Sequence, residues 1–369
     1  MLENWLRLRP DIESPGIPSV KKPFGHQVIR FDTPPTDLSK VRVALIGIDA
    51  VSADAVRRHL YGMSFPWGRL KVADLGNLRK TDVSFLVPLI RELLEGKITP
   101  VLIGQSPEWV VAQYKAHQSG TKPVSWAFIH NRLPFHPSGT AGDGQFLTPL
   151  LSTPDPDLFQ FSALCGQSHF MDAAAIQFLE DHHFECIRLG DVRAKISEIE
   201  PVVRDADLVS FDLSAIRQSD APGVHAPGPS GLFLEEACQI CRYAGLSDKL
   251  TSIGFYGYSP ESDRNEQTAH GAAQLIWYFL DGYFNRKNDF PISMTGLVEY
   301  IVDFKKHDYQ ITFWKSTKSG RWWLQVPVKT KRNLRRHRLI PCSYEDYLNA
   351  CKEELPDRLW RALRRFDVG

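Results

Sequence analysis

The stretch from Arg204 to Gly245, RDADLVSFDLSAIRQSDAPGVHAPGPSGLFLEEACQICRYAG, limits what this chain can fold into more than any other. Leu208, Val209 and Phe211 form a short apolar run ending on Asp212, the pattern of a strand buried in a parallel sheet. Asp212 then stands at the strand's carboxyl end, the edge of an open α/β sheet where ligands collect. Ser214 lies two residues on, and on an extended backbone the two side chains look into one cavity. Pro222, Gly223, Pro227, Gly228 and Pro229 are too many breakers for a helix or central strand, so a loop follows. Leu234, Ala237, Cys238, Cys241 and Ala244 then recur at helical spacing, and Gly245 supplies the stop.

The same alternation of strand and helix runs through the middle of the chain. Val41 to Gly47, Pro100 to Gly104, Val124 to Ile129, Cys186 to Leu189 and Thr251 to Tyr258 read as strands. Ala53 to Tyr61 reads as a helix that Asp54 can cap. Residues 82 to 96 form an amphipathic helix with Phe85, Leu86, Leu89, Ile90, Leu93 and Leu94 on one face. Leu158 to Arg188 gives a short strand and then a helix ending near His182-His183, and Asp191 to Arg204 gives a charged helix. Glu266 to Phe284 is a long helix with Leu275, Ile276, Phe279 and Leu280 inward. Residues 1 to 40 lack periodicity and read as an arm on the surface of an α/β domain at 41–290.

Residues 291–369 read as an extension. Tyr309, Ile311 and Phe313 alternate with polar residues, Lys318-Ser319-Gly320 makes a turn, and Trp322, Leu324, Val326 and Val328 alternate again, which predicts a hairpin. Trp322 and Trp323 are adjacent, so one ring faces away from its own core, toward an interface or a second packed layer. A helix begins at Pro356. Lys329 to Arg338 is basic, but Glu345, Asp346, Glu353, Glu354 and Asp357 lie near enough to offset it, so it reads as a solvated face rather than a nucleic-acid site.

Ser210-Phe211-Asp212-Leu213-Ser214, Ala221-Pro222-Gly223 and Ser230-Gly231-Leu232 together resemble the ureohydrolase superfamily of arginase, agmatinase and formimidoylglutamase. Its hallmark is S-F-D-x-D, a Pro/Gly loop and a G-G-L helix start. Ser210 to Gly223, and Ala112 to Ala116, resemble a formimidoylglutamase-like branch in particular. The resemblance covers roughly residues 40 to 300. It implies a three-layer α/β/α fold around a mostly parallel sheet, to which the C-terminal hairpin and helix are appended.

It also implies where a pair of manganese ions would sit, and the residues there depart from the pattern. The second aspartate of the hallmark is Ser214. The I-G-G-x-H signature falls on Ile103-Gly104-Gln105-Ser106-Pro107, with Pro107 at the histidine's place. The D-x-H-x-D signature falls on His130-Asn131-Arg132-Leu133-Pro134, so His130 and Pro134 replace the aspartates and Arg132 the histidine. The glutamate that meets a substrate guanidinium falls on Gly257, before Tyr258-Ser259-Pro260, while Asp263, Thr268 and Ala269 continue the pattern.

Of six ligands only Asp212 remains, and two hard divalent cations need several carboxylates to offset their repulsion. Arg132, a permanent cation, opposes them outright. Without the metal pair the water's pKa returns toward its high bulk value, and the nucleophile is lost. The expectation is a catalytically inactive arginase-fold protein, without catalytic residues or metal, that serves as a protein-binding or scaffold component. The resemblance implies partners that include copies of itself, as trimer or hexamer. Two alternatives stay open. One is a formimidoylglutamase-like hydrolase built on His130 and Asp212. The other is a small-molecule sensor using Gln105, His130, Arg132 and Ser214.

At 369 residues, 43% hydrophobic and 24% charged, the chain can bury a full core. A formal net charge of +1 gives no global pull toward nucleic acid or membrane. No apolar run reaches the ~18 residues of a membrane span, and the first residues lack a signal-peptide core. A soluble cytoplasmic protein is expected. The six cysteines are scattered, and Cys238 and Cys241 read as core.

Overall fold

Charge-free aliphatic runs become the inner strands, because a strand covered on both faces tolerates no exposed polar row. The computed structural model describes every residue except 1, 9–11, 13–15, 34, 36, 119–121, 140–143, 154, 156, 292–293, 305–308, 328–338 and 368–369. The basic run at 329–338 therefore lies outside the described residues. The first nine strands are β1 Leu6–Arg7, β2 Val43–Gly47, β3 Val72–Leu78, β4 Thr99–Ile103, β5 Val124–Ile129, β6 Leu158–Gly166, β7 Glu185–Arg188, β8 Leu208–Asp212 and β9 Ser252–Tyr256. They form one sheet in the order β1-β3-β2-β4-β9-β8-β5-β6-β7, parallel throughout except that β1 runs antiparallel to β3.

The helices are α1 Phe24–Gln27, α2 Ala50–Gly62, α3 Val83–Glu95, α4 Trp109–His117, α5 Thr148–Leu151, α6 Ala173–Asp181, α7 Leu189–Ala194, α8 Ile199–Asp205, α9 Leu234–Leu246 and α10 Gln267–Phe284. Apolar residues of α2, α8, α9 and α10 pack on one face of the sheet, and those of α3, α4 and α6 on the other. This is the three-layer α/β/α arrangement expected. Cys238 and Cys241 are buried within α9, as core.

Some local expectations need correction. The arm does more than lie on the surface: β1 closes the β3 edge and Phe24 is wholly buried. Helix α2 starts at Ala50, and its cap is Asp49, whose side chain accepts from Ser52 N. Asp54 instead faces inward to Arg57. The charged helix expected from Asp191 to Arg204 is two short helices, α7 and α8, joined by a 3-10 turn at Ile196–Glu198.

Strand β3 carries Asp74, Gly76 and Asn77, residues that read as a turn. They are strand-compatible because Arg57, fully buried, satisfies them. Its Nε and Nη2 donate to Asp74 at 2.7 and 3.0 Å, its Nη1 to Asp54 and Asn77, and its Nη2 to the Gly76 carbonyl. A buried charge is tolerated when its donors are paired in this way.

The extension is larger than a hairpin. Strands β10 Leu297–Phe304, β11 Tyr309–Ser316, β12 Trp322–Gln325 and β13 Leu339–Cys342 make a four-stranded antiparallel sheet in that order. Helices α11 Tyr344–Cys351 and α12 Asp357–Asp367 follow. One face, with Val302, Phe304, Phe313, Trp322 and Leu324, packs with Ala350, Leu359 and Ala362 of those helices. Trp323 turns the other way and meets Arg204 of α8, whose guanidinium carbon is 4.6 Å from the ring centre. Arg204 also donates to the carbonyls of Trp322 and Cys342 at 3.1 and 3.2 Å, and its Nε lies 2.9 Å from Glu200. The second tryptophan thus finds a packed layer, the body of the protein itself.

Candidate functional site

Consecutive strands β4 and β5 are separated in the sheet by β9 and β8. That insertion brings four carboxyl ends side by side. After β4 come Gln105 and Pro107, after β9 Gly257, at the end of β8 Asp212 and Ser214, and after β5 His130, Arg132 and Pro134. All eight expected positions therefore share one edge, the place where open α/β sheets bind ligands.

The structure joins only some of them. Asp212 Oδ1 accepts from the Ser214 backbone N–H at 2.9 Å, which fixes the turn after β8. Ser214 Oγ donates to Asn131 Oδ1 at 2.9 Å, linking the ends of β8 and β5. Gly257 has φ +84°, and a β-carbon there would lie 2.5 Å from Asp212 Oδ1. A glutamate at 257 would be strained by its backbone and would collide with that carboxylate. The Pro/Gly loop closes beside it: His225 N donates to the Gly257 carbonyl, and Ser259 N to that of Gly223. Asp263 caps α10 by accepting from Thr268 and Ala269 N–H groups.

Other positions stand apart. Gln105 is held by its backbone N–H, which donates to Asp49 Oδ2 at 2.8 Å. Pro107 sits in the turn before α4 and its carbonyl accepts from Val110 N, consistent with a helix start. Pro134 accepts from Leu147 N. Arg132 was expected inside the pocket. It is exposed instead, with its guanidinium 4.3 Å from the Phe170 ring centre, and it reaches Asp212 only through its field.

His130 is wholly buried, stacked on Phe128 at 4.7 Å, and neither ring nitrogen has a hydrogen-bond partner. Register pairs Ile129 with Phe211, so His130 stands beside Asp212 on the next strand without bonding to it. Burial pushes the His130 pKa down to about 3, a nearby Arg132 backbone group pulling weakly the other way. Burial likewise pushes the half-buried Asp212 up to about 6, against the Ser214 hydrogen bonds and the fields of His225 and Arg132.

Two residues that tie the edge together escaped sequence reasoning. Asn131 makes the bond to Ser214, and its buried Nδ2 has no partner. Gln113 on α4, fully buried, uses its whole amide: Nε2 donates to the Val209 carbonyl and Ser252 Oγ, while Oε1 accepts from Ser210 and Tyr256. A glutamine on an apolar helix face carries the signal for such a hub, because its amide must find partners. Asn131 has none beyond its place in the signature. Among the described residues no three histidine, cysteine, aspartate or glutamate side chains gather as an ion's ligands, and no helix is long and apolar enough to cross a membrane.

Known proteins share this fold and part of this sequence. Residues 161–281 match the model of the arginase family. Formimidoylglutamase of Bacillus subtilis is 31% identical over 104 residues, 27% of this chain and 33% of that protein. The Cupriavidus pinatubonensis enzyme is 30% identical over 125 residues, 34% of this chain and 36% of that one. The aligned stretch thus spans about a third of the length of these curated relatives. Among solved structures, Trypanosoma cruzi formiminoglutamase with manganese superposes with a TM-score of 0.61 at 19% identity, covering 68% of this chain and 96% of that one. Arginase of Bacillus subtilis gives 0.54 at 15%, covering 65% and 98%. The fold is the one these solved structures have, and the arginase-family model matches residues 161–281 of the chain. Over the aligned stretches its sequence is similar to formimidoylglutamases.

Proposed function

We propose that this chain is a catalytically inactive member of the arginase superfamily, without a dimanganese site, that acts as a protein-binding or scaffold component. The observation that carries the reading is the donor set at the shared edge. Asp212 stands there with a neutral hydroxyl, Ser214, that is already committed to Asn131, and with a glycine whose conformation excludes the glutamate. His130 stacks in the core, and the proline ring at 107 offers no lone pair. Such a set does not fit two hard cations, which take most of their ligands from charged oxygens. Self-association is part of the same reading, as the resemblance to the ureohydrolase superfamily implies.

Metal analysis of protein purified in manganese, with a formamide- and urea-release assay, tests it. The expected result is less than one tightly held ion per chain and no turnover above buffer. Two ions per chain, or turnover that a chelator abolishes, would sink the reading. One observation favours a second role, small-molecule sensing: the unpartnered Asn131 amide at the edge. A rise in melting temperature with neutral or anionic amino acids, lost in Asn131→Ala, is its expected mark.

A further inference from the structure

Strand β10 is the terminal strand of the second sheet among the described residues, and it is guarded only by charges of one sign, Glu299 and Asp303. Eight consecutive pairs, from Leu297 opposite Ser316 to Phe304 opposite Tyr309, run without a bulge. Edge strands are ordinarily blunted by proline, lysine, a bulge or short length, because their free N–H and C=O groups template pairing. Strand β10 has none of these. Its alternate residues Tyr300, Val302 and Phe304 turn toward the helices of the extension. The opposite face shows Glu299, Ile301 and Asp303, all exposed, Ile301 by 56%. The exposed face thus reads acidic, apolar, acidic at every second residue.

The charges decide the occupant. In a symmetric antiparallel pair of two β10 strands, two Glu299 and two Asp303 side chains would line one face with no cation on either strand to offset them. A basic strand meets the same face favourably, since residues directly opposite on an antiparallel pair share a face. We propose that the free edge of β10 takes up an extended basic segment of another protein as a fifth strand. Lysine or arginine would be set opposite Glu299 and Asp303, with an apolar residue opposite Ile301. Main-chain hydrogen bonds supply affinity and the alternating face supplies selection, the general logic of strand addition. The inference rests on the reading of the chain as a protein-binding component and names the kind of partner.

Fluorescence anisotropy of the full chain with the capped, labelled peptide TKTVTKT tests it, with TETVTET and an N-methylated TKTVTKT as controls. Saturable binding of the lysine peptide is expected, at least tenfold tighter than either control. Ile301→Lys, at an exposed position, is expected to weaken it at least tenfold with an unchanged melting temperature. The double variant Glu299→Lys/Asp303→Lys is expected to prefer the glutamate peptide. Equal binding of all three peptides, no saturable binding, or binding that Ile301→Lys leaves untouched overturns the proposal. So does a dimer in sedimentation that Ile301→Lys dissolves, since the occupant is then a second copy. Manganese-dependent turnover would remove the inactive-enzyme reading while leaving the peptide result standing, so the two failures are distinguishable.

Discussion

Replacing Arg204 by methionine asks whether the second sheet is welded to the first. The side chain is 5% exposed and touches both units at once, through Glu200 on its own helix and the Trp322 and Cys342 carbonyls across the boundary. Methionine keeps most of the volume and removes every donor. Two buried carbonyls are then left without partners, at about 1–3 kcal/mol each. Glu200 is left facing Arg321, 3.3 Å away. Adding these losses to that of the ion pair would count one guanidinium several times over, so the cost of breaking a buried pair, about 3–5 kcal/mol, is the expected total. The shift in melting temperature per kcal/mol shrinks with chain length toward about 2 °C, so the midpoint should fall by roughly 6–10 °C. Calorimetry gives the midpoint, and hydrogen exchange across 322–325 and 339–342 shows whether β12 and β13 loosen first. A midpoint within 2 °C of the parent, with unchanged exchange in both strands, would refute the claim that Arg204 holds the sheets together.

Three further substitutions test the edge. Asp212 has its pKa raised to about 6. Its carboxyl therefore costs little at pH 4, destabilises increasingly as pH rises from about 4 to 6, and carries its full penalty above that. Asp212→Asn should leave stability unchanged at pH 4 and raise it at pH 8, by at most about 3 kcal/mol. Urea melts at the two pH values decide, and an equal change at both counts against the buried carboxylate. His130, with its pKa lowered to about 3, favours the folded state fully above pH 6.5, and this contribution is lost as pH falls toward 3. His130→Phe should flatten the acid limb by about 2 kcal/mol between pH 6.5 and 5, and a parallel limb contradicts the assignment. Gly257→Glu, placed at φ +84° against Asp212, should destabilise by about 2 kcal/mol or more and bind no manganese, as calorimetry and metal analysis would show. A stable variant carrying ions would reverse that expectation.

Strands β5 and β8 were legible because an unbroken apolar run has few other places to go in a chain of this length. Helices α3, α9 and α10 were legible from their spacing. Strand β3 was not, because Asp74 and Asn77 are made acceptable by an arginine 17 and 20 residues away, a distance that no local period can register. The resemblance gave the site's members in order, and the topology that inserts β8 and β9 between β4 and β5 explains why they share one edge. Their orientation was not legible. Arg132 swings to Phe170 and His130 turns onto Phe128, choices made by rings from neighbouring segments. The second sheet was half read: β11 and β12 alternate openly, while β13 is four residues long and carries Pro341, a residue that argues against a strand.

The Gln113 amide ties helix α4 to both β8 and β9 beneath the shared edge, with each of its hydrogen-bonding positions in use. A platform braced from below in this manner has little motion left to surrender. Whatever meets that edge therefore loses little entropy in ordering it, so association there should carry a small entropic penalty and stay insensitive to changes in the loops above.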